Sequence, residues 1–241
     1  MQEINVALLP EEINAKTISD DLVIVIDVLR ASSTIVTAFA AGAEKIIPIY
    51  NPEEARNRAL AIKSSQVLLC GERGGKKLPG FDMGNSPLEY RMTDVKNKTL
   101  LLSTTNGVKM LERVRNARKI IVGSFLNIDA VIDYCLADDG KIMLACSGDR
   151  GHISLEDTVC AGMILDQISQ LSADNDLNDD LLLARELYHI YGHDLLEMMK
   201  SSTWGQNLMT MNLTADLVFC AQTNIYHHIP VVKKTEIICR S

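Results

Sequence analysis

Six short and nearly continuous apolar runs constrain the fold of this chain more than any other feature of its sequence. They are LVIVI (22–26), KIIPI (45–49), VLLC (67–70), TLLL (99–102), KIIV (119–122) and KIMLAC (141–146). Runs of this length without polar alternation are typical of strands buried on both faces of a parallel sheet. Segments with helical spacing separate them, so strand and helix alternate from residue 22 to about residue 171. The pattern predicts an α/β fold with three α/β/α layers and a mostly parallel sheet.

The pattern changes beyond Ser172. A polar stretch, SADNDLNDD (172–180), is followed by helical segments and by one last strand candidate, TEIIC (235–239). We therefore predict an α/β core over residues 1–171 and a mainly helical C-terminal portion over residues 172–241. We expect this portion to pack on the core rather than to form an independent domain.

Several helix starts carry their own signals. Asn51 is followed by Pro-Glu-Glu, which is typical of an N-cap with proline at the first helical position. Ser154 and Asp157 fit a capping box, and Ser86 and Glu89 fit a second one. These residues are accordingly expected to have structural roles, although for Asp157 a functional role stays open.

The composition excludes several classes of protein. With 47% hydrophobic and 23% charged residues among 241, the chain has the balance of a globular protein. A net charge of −7 argues against nucleic-acid binding, which usually leaves a basic footprint. No apolar run approaches the about 18 residues of a membrane span, and the start MQEINVALLPEEINA lacks a basic leader, so we expect a cytoplasmic protein that binds no membrane. The six cysteines form no CxxC pair, which indicates neither disulfides nor zinc. A homodimer is left open.

Polar clusters follow most of the predicted strands. They are DVLRASST (27–34), GERGG (71–75), STTNG (103–107) and SGDRGH (147–152) with ISLED (153–157). In open α/β sheets, ligands bind beyond the carboxyl ends of the strands. The clusters therefore predict one functional site at one edge of the sheet.

Three acidic residues in these clusters are candidate metal ligands. Asp27 leaves a strand, and Glu156 and Asp157 lie at a helix start. Carboxylates of this kind hold hard cations such as Mg²⁺ through oxygen. For Asp157 a capping role is the better explanation, whereas Glu156 is left over by that explanation.

The remaining polar residues fit an anion-binding site. The candidates are Ser32, Ser33, Glu72, Arg73, Asn85, Thr105, Asn106, Gly107 and Arg150. Small hydroxyls and backbone N–H groups at a helix start bind anions, although simple helix capping is the alternative for the two serines. The segment GERGGKKLPGFDMGNSP (71–87) is rich in glycine and carries Arg73, Lys76 and Lys77. It is predicted to be a mobile loop that closes over an anion, with solvated surface charge as the alternative.

The motifs together resemble one known family. DVLRASST, GERGG with GFDMGNSP, STTNG and GHISLEDTVCAG occur in the order found in the 2-phosphosulfolactate phosphatase (ComB-like) family, from about residue 22 to residue 165. The late segment ADLVFCAQTNIYHHIPVV resembles the C-terminal part of that family. The resemblance implies a three-layer α/β/α fold and a Mg²⁺-dependent acid phosphatase. This enzyme hydrolyses 2-phospho-3-sulfolactate to 3-sulfolactate and phosphate, a step of coenzyme M biosynthesis.

Two alternatives to this activity remain open at this point. One is a phosphatase for another 2-phospho acid, such as phosphoglycolate or phospholactate. The other is a non-catalytic sensor of a sulfonated or phosphorylated metabolite. A sensor of anions needs no group of carboxylates beside its ligand, so the acidic residues favour a hydrolase.

The leading mechanistic hypothesis places Mg²⁺ on Asp27 and the Glu156/Asp157 pair, where a water bound to the metal attacks in line. Arg30, the fourth expected catalytic residue, is assigned to the phosphate, and Arg73 to the sulfonate. An aspartyl-phosphate at Asp27 is disfavoured, because haloacid-dehalogenase-like phosphatases place a second Asp two residues after the nucleophile. Here that position is a leucine. The general acid is left open among Asp82, Asp149 and Glu72.

Overall fold

A computed structural model describes residues 3–62, 66–171 and 177–240. Its strands are β1 (Ile4–Ala7), β2 (Leu22–Ile26), β3 (Lys45–Pro48), β4 (Val67–Arg73), β5 (Lys76–Lys77), β6 (Thr99–Ser103), β7 (Lys119–Gly123), β8 (Ile142–Cys146), β9 (Ile229–Lys233) and β10 (Glu236–Arg240). Its helices are α1 (Ala31–Ala40), α2 (Pro52–Ile62), α3 (Pro87–Met92), α4 (Gly107–Arg113), α5 (Ile128–Leu136), α6 (Leu155–Leu171), α7 (Asp179–Tyr191), α8 (Leu195–Ser201), α9 (Thr203–Thr210) and α10 (Thr214–Cys220). Residues 172–176 of the predicted polar stretch lie outside the described residues.

The predicted α/β fold is confirmed. All six apolar runs form strands, and TEIIC forms most of β10. The strands that sequence reasoning missed are β1, β5 and β9, and of these β1 and β5 span only four and two residues. Such short segments are too brief to show a period, so they carry little signal of their own.

The sheet is built from two parallel blocks. Its strand order is β1-β8-β2-β7-β9-β10-β3-β6-β4-β5. Strands β1, β8, β2 and β7 pair in parallel, as do β3, β6 and β4. The antiparallel hairpin β9–β10 lies between the blocks and pairs antiparallel with β7 on one side and β3 on the other. Three antiparallel steps in succession make the two blocks run in opposite directions along the sheet, which the sequence did not predict.

Side chains from both blocks meet in one core. Val25 of β2 and Leu102 of β6 belong to the same buried cluster, together with Phe39 of α1 and Met110 of α4. Because β2 and β6 are five positions apart in the strand order, the sheet must curve around α1 and α4 to bring them together. Ile24, on the opposite face of β2, packs with side chains of α5, α6 and the C-terminal helices. Helices therefore cover both faces of the sheet.

The C-terminal portion is part of this architecture. Helix α7 packs on α6, α10 packs on α3, and β9 and β10 lie near the middle of the sheet. The expected core of residues 1–171 and the C-terminal portion thus share one sheet. The longest described helix, α6, has 17 residues, and none of the described helices combines the length and apolarity needed to cross a bilayer.

Two of the three predicted helix caps are confirmed. Asn51 Oδ1 accepts a 2.8 Å bond from the backbone N–H two residues later, and Ser154 Oγ accepts one of 3.3 Å from the N–H of Asp157. The capping box at Ser86 is wrong. The Ser86 hydroxyl instead donates to Asp216 Oδ1 at 2.6 Å, because α10 brings this buried carboxylate within reach.

The pairing of β4 with β6 requires a glycine at residue 71. Gly71 has a φ of +150°, and a Cβ at this position would lie 2.1 Å from the carbonyl oxygen of Ser103. We expect Gly71→Ala to lower the free energy of unfolding by about 3 kcal/mol or more, measured by urea unfolding. Gly80→Ala is the matched control, since Gly80 also has positive φ (+75°) but an added Cβ would meet nothing within 4 Å. It should cost only about 1 kcal/mol, and equal losses would contradict the steric explanation.

Candidate active site

The glycine-rich segment begins as an ordered hairpin. Glu72 pairs with Lys77 across β4 and β5, and the two-residue turn is formed by Gly74 and Gly75 with φ of +58° and +82°. Positive φ at both turn residues suits the right-handed twist of a hairpin and favours glycine at both. Glu72 Oε2 accepts a 2.8 Å bond from the N–H of Gly75. The segment that the sequence predicts to be a mobile loop therefore begins as a hairpin.

This hairpin separates two residues that the sequence placed in one site. Because β4 continues through Arg73, the side chains of Glu72 and Arg73 point to opposite sides of the strand. Glu72 lines a cavity, whereas Arg73 donates to Ser103 O at 3.1 Å and lies 5.3 Å from the ring centroid of Tyr50. Arg73 does not line the cavity, so the structure does not bring it together with the other predicted substrate-binding residues.

One cavity gathers residues that follow β2, β6 and β8 or end β4. It is lined by Asp27, Leu29, Arg30, Glu72, Gly74, Asn85, Thr104, Thr105, Asn106, Asp149, Arg150 and Trp204. Eight of the residues predicted from the sequence are among them: Asp27, Arg30, Glu72, Asn85, Thr105, Asn106, Asp149 and Arg150. Sequence reasoning missed Trp204, which reaches the cavity from α9 and is the single tryptophan of the chain. A lone aromatic in a helical segment gives no local sign of such a position.

Asp27 lies at the start of α1 and binds its first turn. Asp27 Oδ1 accepts a 3.0 Å bond from the N–H of Ala31, and its carbonyl oxygen accepts one of 2.8 Å from the N–H of Ser32. A Cβ at Gly107 would lie 2.9 Å from Asp27 Oδ2, so the glycine allows α4 to approach the carboxylate. Gly107 therefore makes room for Asp27, and it does not line the cavity.

The hydroxyl groups of the two serines at the start of α1 form hydrogen bonds with the backbone around Asp27. The Ser32 hydroxyl accepts from the N–H of Asp27 at 2.9 Å and donates to Val25 O at 3.2 Å. The Ser33 hydroxyl donates to Val28 O at 2.8 Å. Both side chains are buried in the protein interior, and neither lines the cavity. Neither side chain caps α1, and the predicted contact of these two residues with an anion stays a prediction.

Glu156 and Asp157 are buried outside the cavity lining. Asp157 Oδ1 accepts a 2.8 Å bond from the N–H of Val28 and so links α6 to the turn after β2. Glu156 is 2% exposed, and its Oε2 is a buried atom without a hydrogen-bond partner. The structure thus places two carboxylates close enough to Asp27 to interact with it, although only Asp27 reaches the cavity.

Burial and mutual repulsion disfavour the ionised form of these carboxyl groups. The pKa of Asp27 is raised to about 7, first by burial and then by the charges of Glu72, Glu156 and Asp149. Burial also raises the pKa of Glu156. The pKa of Asp157 lies well above its usual range, because of burial and then of the charges of Asp27 and Glu156. A cation bound beside Asp27 would relieve this repulsion and keep the carboxylate ionised.

The donor groups of the cavity fit Mg²⁺, and of the three expected ligands only Asp27 lines the cavity. In the part of the chain that the structure describes, no three His, Cys, Asp or Glu side chains converge as a preformed metal site, so Asp27, Glu156 and Asp157 do not form one. Mg²⁺ usually takes one or two carboxylates and completes its octahedron with water and substrate phosphate. Asp27, Glu72 and Asp149 present such oxygens to the cavity.

Two arginine side chains line the cavity, and they differ in burial and in hydrogen bonding. Arg30 is buried, and it donates to Asp216 Oδ2 at 2.6 Å and to Gly75 O at 2.9 Å. Arg150 is exposed, has a φ of +51°, and its side chain forms no hydrogen bond or ion pair with any described residue. The cavity therefore combines one fixed cation with one free cation.

Two polar residues that follow β6 donate hydrogen bonds to carboxylates of the cavity. Thr105 donates through its N–H and its hydroxyl to Glu72 Oε1, at 2.9 and 3.0 Å. Asn106 Nδ2 donates to Asp149 Oδ1 at 3.1 Å. Asn85 Oδ1 is a buried oxygen without a hydrogen-bond partner. Of the three candidate general acids, Glu72 and Asp149 line the cavity.

Asp82, the third candidate, lies elsewhere. Its Oδ2 accepts a 2.8 Å bond from the N–H of Leu69, so this carboxylate joins the segment after β5 to β4. Asp82 is outside the cavity lining, so the structure favours the other two candidates for the general acid.

The sequence matches known proteins over almost its whole length. The model of the family described as 2-phosphosulpholactate phosphatase matches residues 7–235. A protein of Symbiobacterium thermophilum named probable 2-phosphosulfolactate phosphatase is 38% identical over 224 residues, which cover 93% of this chain and 96% of that protein. Proteins of the same name from Carboxydothermus hydrogenoformans and Thermotoga maritima are 41% and 40% identical over 228 and 209 residues. These alignments cover 95% and 87% of this chain, and 92% and 88% of the two relatives.

We expect Asp27→Asn to stabilise the protein at about pH 8 and to have little effect at about pH 4. The pKa of Asp27 is about 7 in the folded protein and near its ordinary value of 3.8 in the unfolded chain. As the pH rises from the lower to the higher of these two pKa values, the folded protein loses stability relative to the unfolded chain. Asparagine does not ionise and therefore avoids this loss. Thermal unfolding in EDTA should show a gain in Tm on the order of several degrees at about pH 8. A wild type as stable as the variant at that pH would contradict the electrostatic interpretation.

Proposed function

We propose that this chain, which belongs to the 2-phosphosulfolactate phosphatase family, hydrolyses 2-phospho-3-sulfolactate to 3-sulfolactate and phosphate in the manner of coenzyme M biosynthesis. Family membership makes it a phosphoric monoester hydrolase, which sets aside the non-catalytic sensor. The observation that carries the proposal is the cavity that joins the carboxylates of Asp27, Glu72 and Asp149 to the guanidinium groups of Arg30 and Arg150. Carboxylates suit a metal-assisted hydrolysis, and guanidinium groups suit an anionic substrate.

The charge of the substrate explains the two kinds of arginine. 2-Phospho-3-sulfolactate carries a phosphate, a carboxylate and a sulfonate on three carbons, and the chain itself has a net charge of −7. Binding therefore requires cations concentrated at the cavity. We assign the phosphate to Arg30, which is held rigidly, and the sulfonate to Arg150, which is free to adjust to its partner.

The proposal includes Mg²⁺ as the cofactor. Asp27 would hold it, together with Glu72 and oxygens of the substrate. When bound, such an ion neutralises charge on the phosphate and lowers the pKa of coordinated water. The support is the raised pKa of Asp27, which burial and the neighbouring carboxylates cause and which a bound cation would lower again.

The side chains of the cavity account for the remaining chemistry. Phosphate-monoester hydrolysis has a loose transition state with charge on the equatorial oxygens, so a fixed guanidinium such as Arg30 stabilises it without reorganising. We assign to Asp149, whose Oδ1 accepts a bond from Asn106, the proton that the oxygen on carbon 2 of the substrate takes up as its bond to phosphorus breaks. Glu72, held by Thr105 and the N–H of Gly75, keeps the hairpin and the turn after β6 in register around the substrate.

Phosphate release from a panel of 2-phospho acids tests the proposed activity. We expect the highest kcat/KM for 2-phospho-3-sulfolactate, lower values for phospholactate and phosphoglycolate, and loss of activity in EDTA that added Mg²⁺ restores. Full activity in EDTA would contradict the metal. A preference for a substrate without sulfonate would replace the substrate assignment by the second candidate, a phosphatase for another 2-phospho acid.

A second prediction separates the two anion-binding groups. Arg150→Ala should raise KM for phosphosulfolactate by about ten-fold to a hundred-fold, because a charge-assisted contact contributes about 1.5 to 3 kcal/mol where its partner exists. It should leave phospholactate unaffected. Arg30→Ala should instead lower kcat on both substrates, because its contact strengthens in the transition state.

Arg115→Ala is the matched control for these variants, since Arg115 is exposed and lies outside the cavity lining. It should change neither parameter. Equal losses on both substrates for Arg150→Ala would show that Arg150 does not contact the sulfonate.

A further inference from the structure

A buried carboxylate of α10 joins the cavity to the C-terminal helices. Asp216 is 1% exposed, and its Oδ2 lies 2.6 Å from Nη1 of Arg30. Its Oδ1 accepts a bond of 2.6 Å from the Ser86 hydroxyl. Both oxygens are therefore engaged by side chains, and Asp216 is itself outside the cavity lining.

These contacts leave Arg30 partly unused. A guanidinium group has five N–H donors. One donates to Asp216 Oδ2 and one to Gly75 O, so three have no hydrogen bond to a described residue. The two bonds come from α10 and from the β4–β5 hairpin and involve different nitrogens. Together they fix the plane of the group while the remaining donors stay available.

The ion pair with Asp216 also compensates the burial of the positive charge of Arg30. Arg30 is 4% exposed, and a guanidinium taken out of water without a counter-charge is strongly disfavoured. Unlike Asp216, the carboxylates that line the cavity form no hydrogen bond or ion pair with Arg30. Asp216 thus supplies the counter-charge from outside the cavity and leaves the cavity side of Arg30 open.

We propose that Asp216 is a positioning residue that acts through Arg30, fixing its guanidinium in the orientation that contacts the phosphoryl group in the transition state. The inference rests on the proposed function, in which Arg30 binds the phosphate. It assigns the C-terminal portion of the chain a part in the reaction, because α10 supplies the group that sets the geometry of Arg30.

A purely structural role for Asp216 gives different results. If Asp216 only linked α10 to Ser86, the residue before α3, its replacement would lower the stability of the protein. It would then affect turnover independently of Arg30. If it only supplied charge, removing the charge would strengthen anion binding at Arg30 and leave turnover largely intact. Positioning predicts reduced turnover with no loss of phosphate affinity, and it predicts this only when Arg30 is present.

The experiment is a double-mutant cycle of the full chain with Asp216→Asn, Arg30→Ala and the double variant. We expect Asp216→Asn to lower kcat on phosphosulfolactate by about ten-fold to a hundred-fold and to cause no further loss when Arg30 is already alanine. Binding of inorganic phosphate is measured by isothermal titration calorimetry and by the fluorescence of Trp204, the single tryptophan, which lines the cavity. The Kd for phosphate should not rise in Asp216→Asn.

Asp138→Asn is the matched control, since Asp138 is also a buried carboxylate and pairs with Arg118 and Lys119 outside the cavity lining. It should lower stability without changing kcat. If Asp216→Asn does not fold, Asp216→Glu keeps the charge but displaces the carboxylate by one methylene, and the same loss of kcat is expected.

The outcomes separate the two proposals. Additive losses in the cycle, or an unchanged kcat in Asp216→Asn, would overturn the positioning role alone. An unchanged kcat in Arg30→Ala would overturn the use of Arg30 in the proposed function, and the role of Asp216 with it.

Discussion

The ionised form of Asp27 is opposed by burial and by the neighbouring carboxylates, and much of the surrounding structure serves to hold this group in place. The first turn of α1 donates to it, Gly107 lets α4 approach it, and Asp157 binds the turn beside it. An arrangement that raises the pKa to about 7 costs stability in the free protein. Such a cost is typical of groups retained for binding and catalysis.

Much of the fold was predictable because its signals are local. Each apolar run is long enough to define a buried strand, and the polar residues that follow these runs include most of the cavity lining. The position of Arg73 was not predictable from local signals. The apolar run ends at Cys70, but the strand continues to Arg73, and this continuation turns Arg73 away from Glu72. Polar residues at the end of a strand hide its true length, because the hydrophobic pattern stops before the backbone pairing does.

Other parts of the site had no local signal. Asp216 is 186 positions from Arg30 in the sequence, and Trp204 lies in a helical segment without a recognisable motif. The direction of the two parallel blocks was equally hidden, because it depends on the antiparallel insertion of β9 and β10. The sequence predicted that the ends of β2, β4, β6 and β8 would meet at one site, and residues at these ends line one cavity. It did so from a rule for one continuous parallel sheet, whereas curvature of the sheet around α1 and α4 brings the two blocks to one cavity.

The place of the β9–β10 hairpin has a consequence for how the protein is made. During synthesis the N-terminal parts of a chain emerge first, yet β7 and β3 acquire the partners between them only when residues 229–240 have left the ribosome. Until then each block presents an unpaired edge strand, and such edges are templates for pairing with other chains. The nascent protein thus depends on its last strands to close its sheet, and chains released early would be the ones most prone to aggregate.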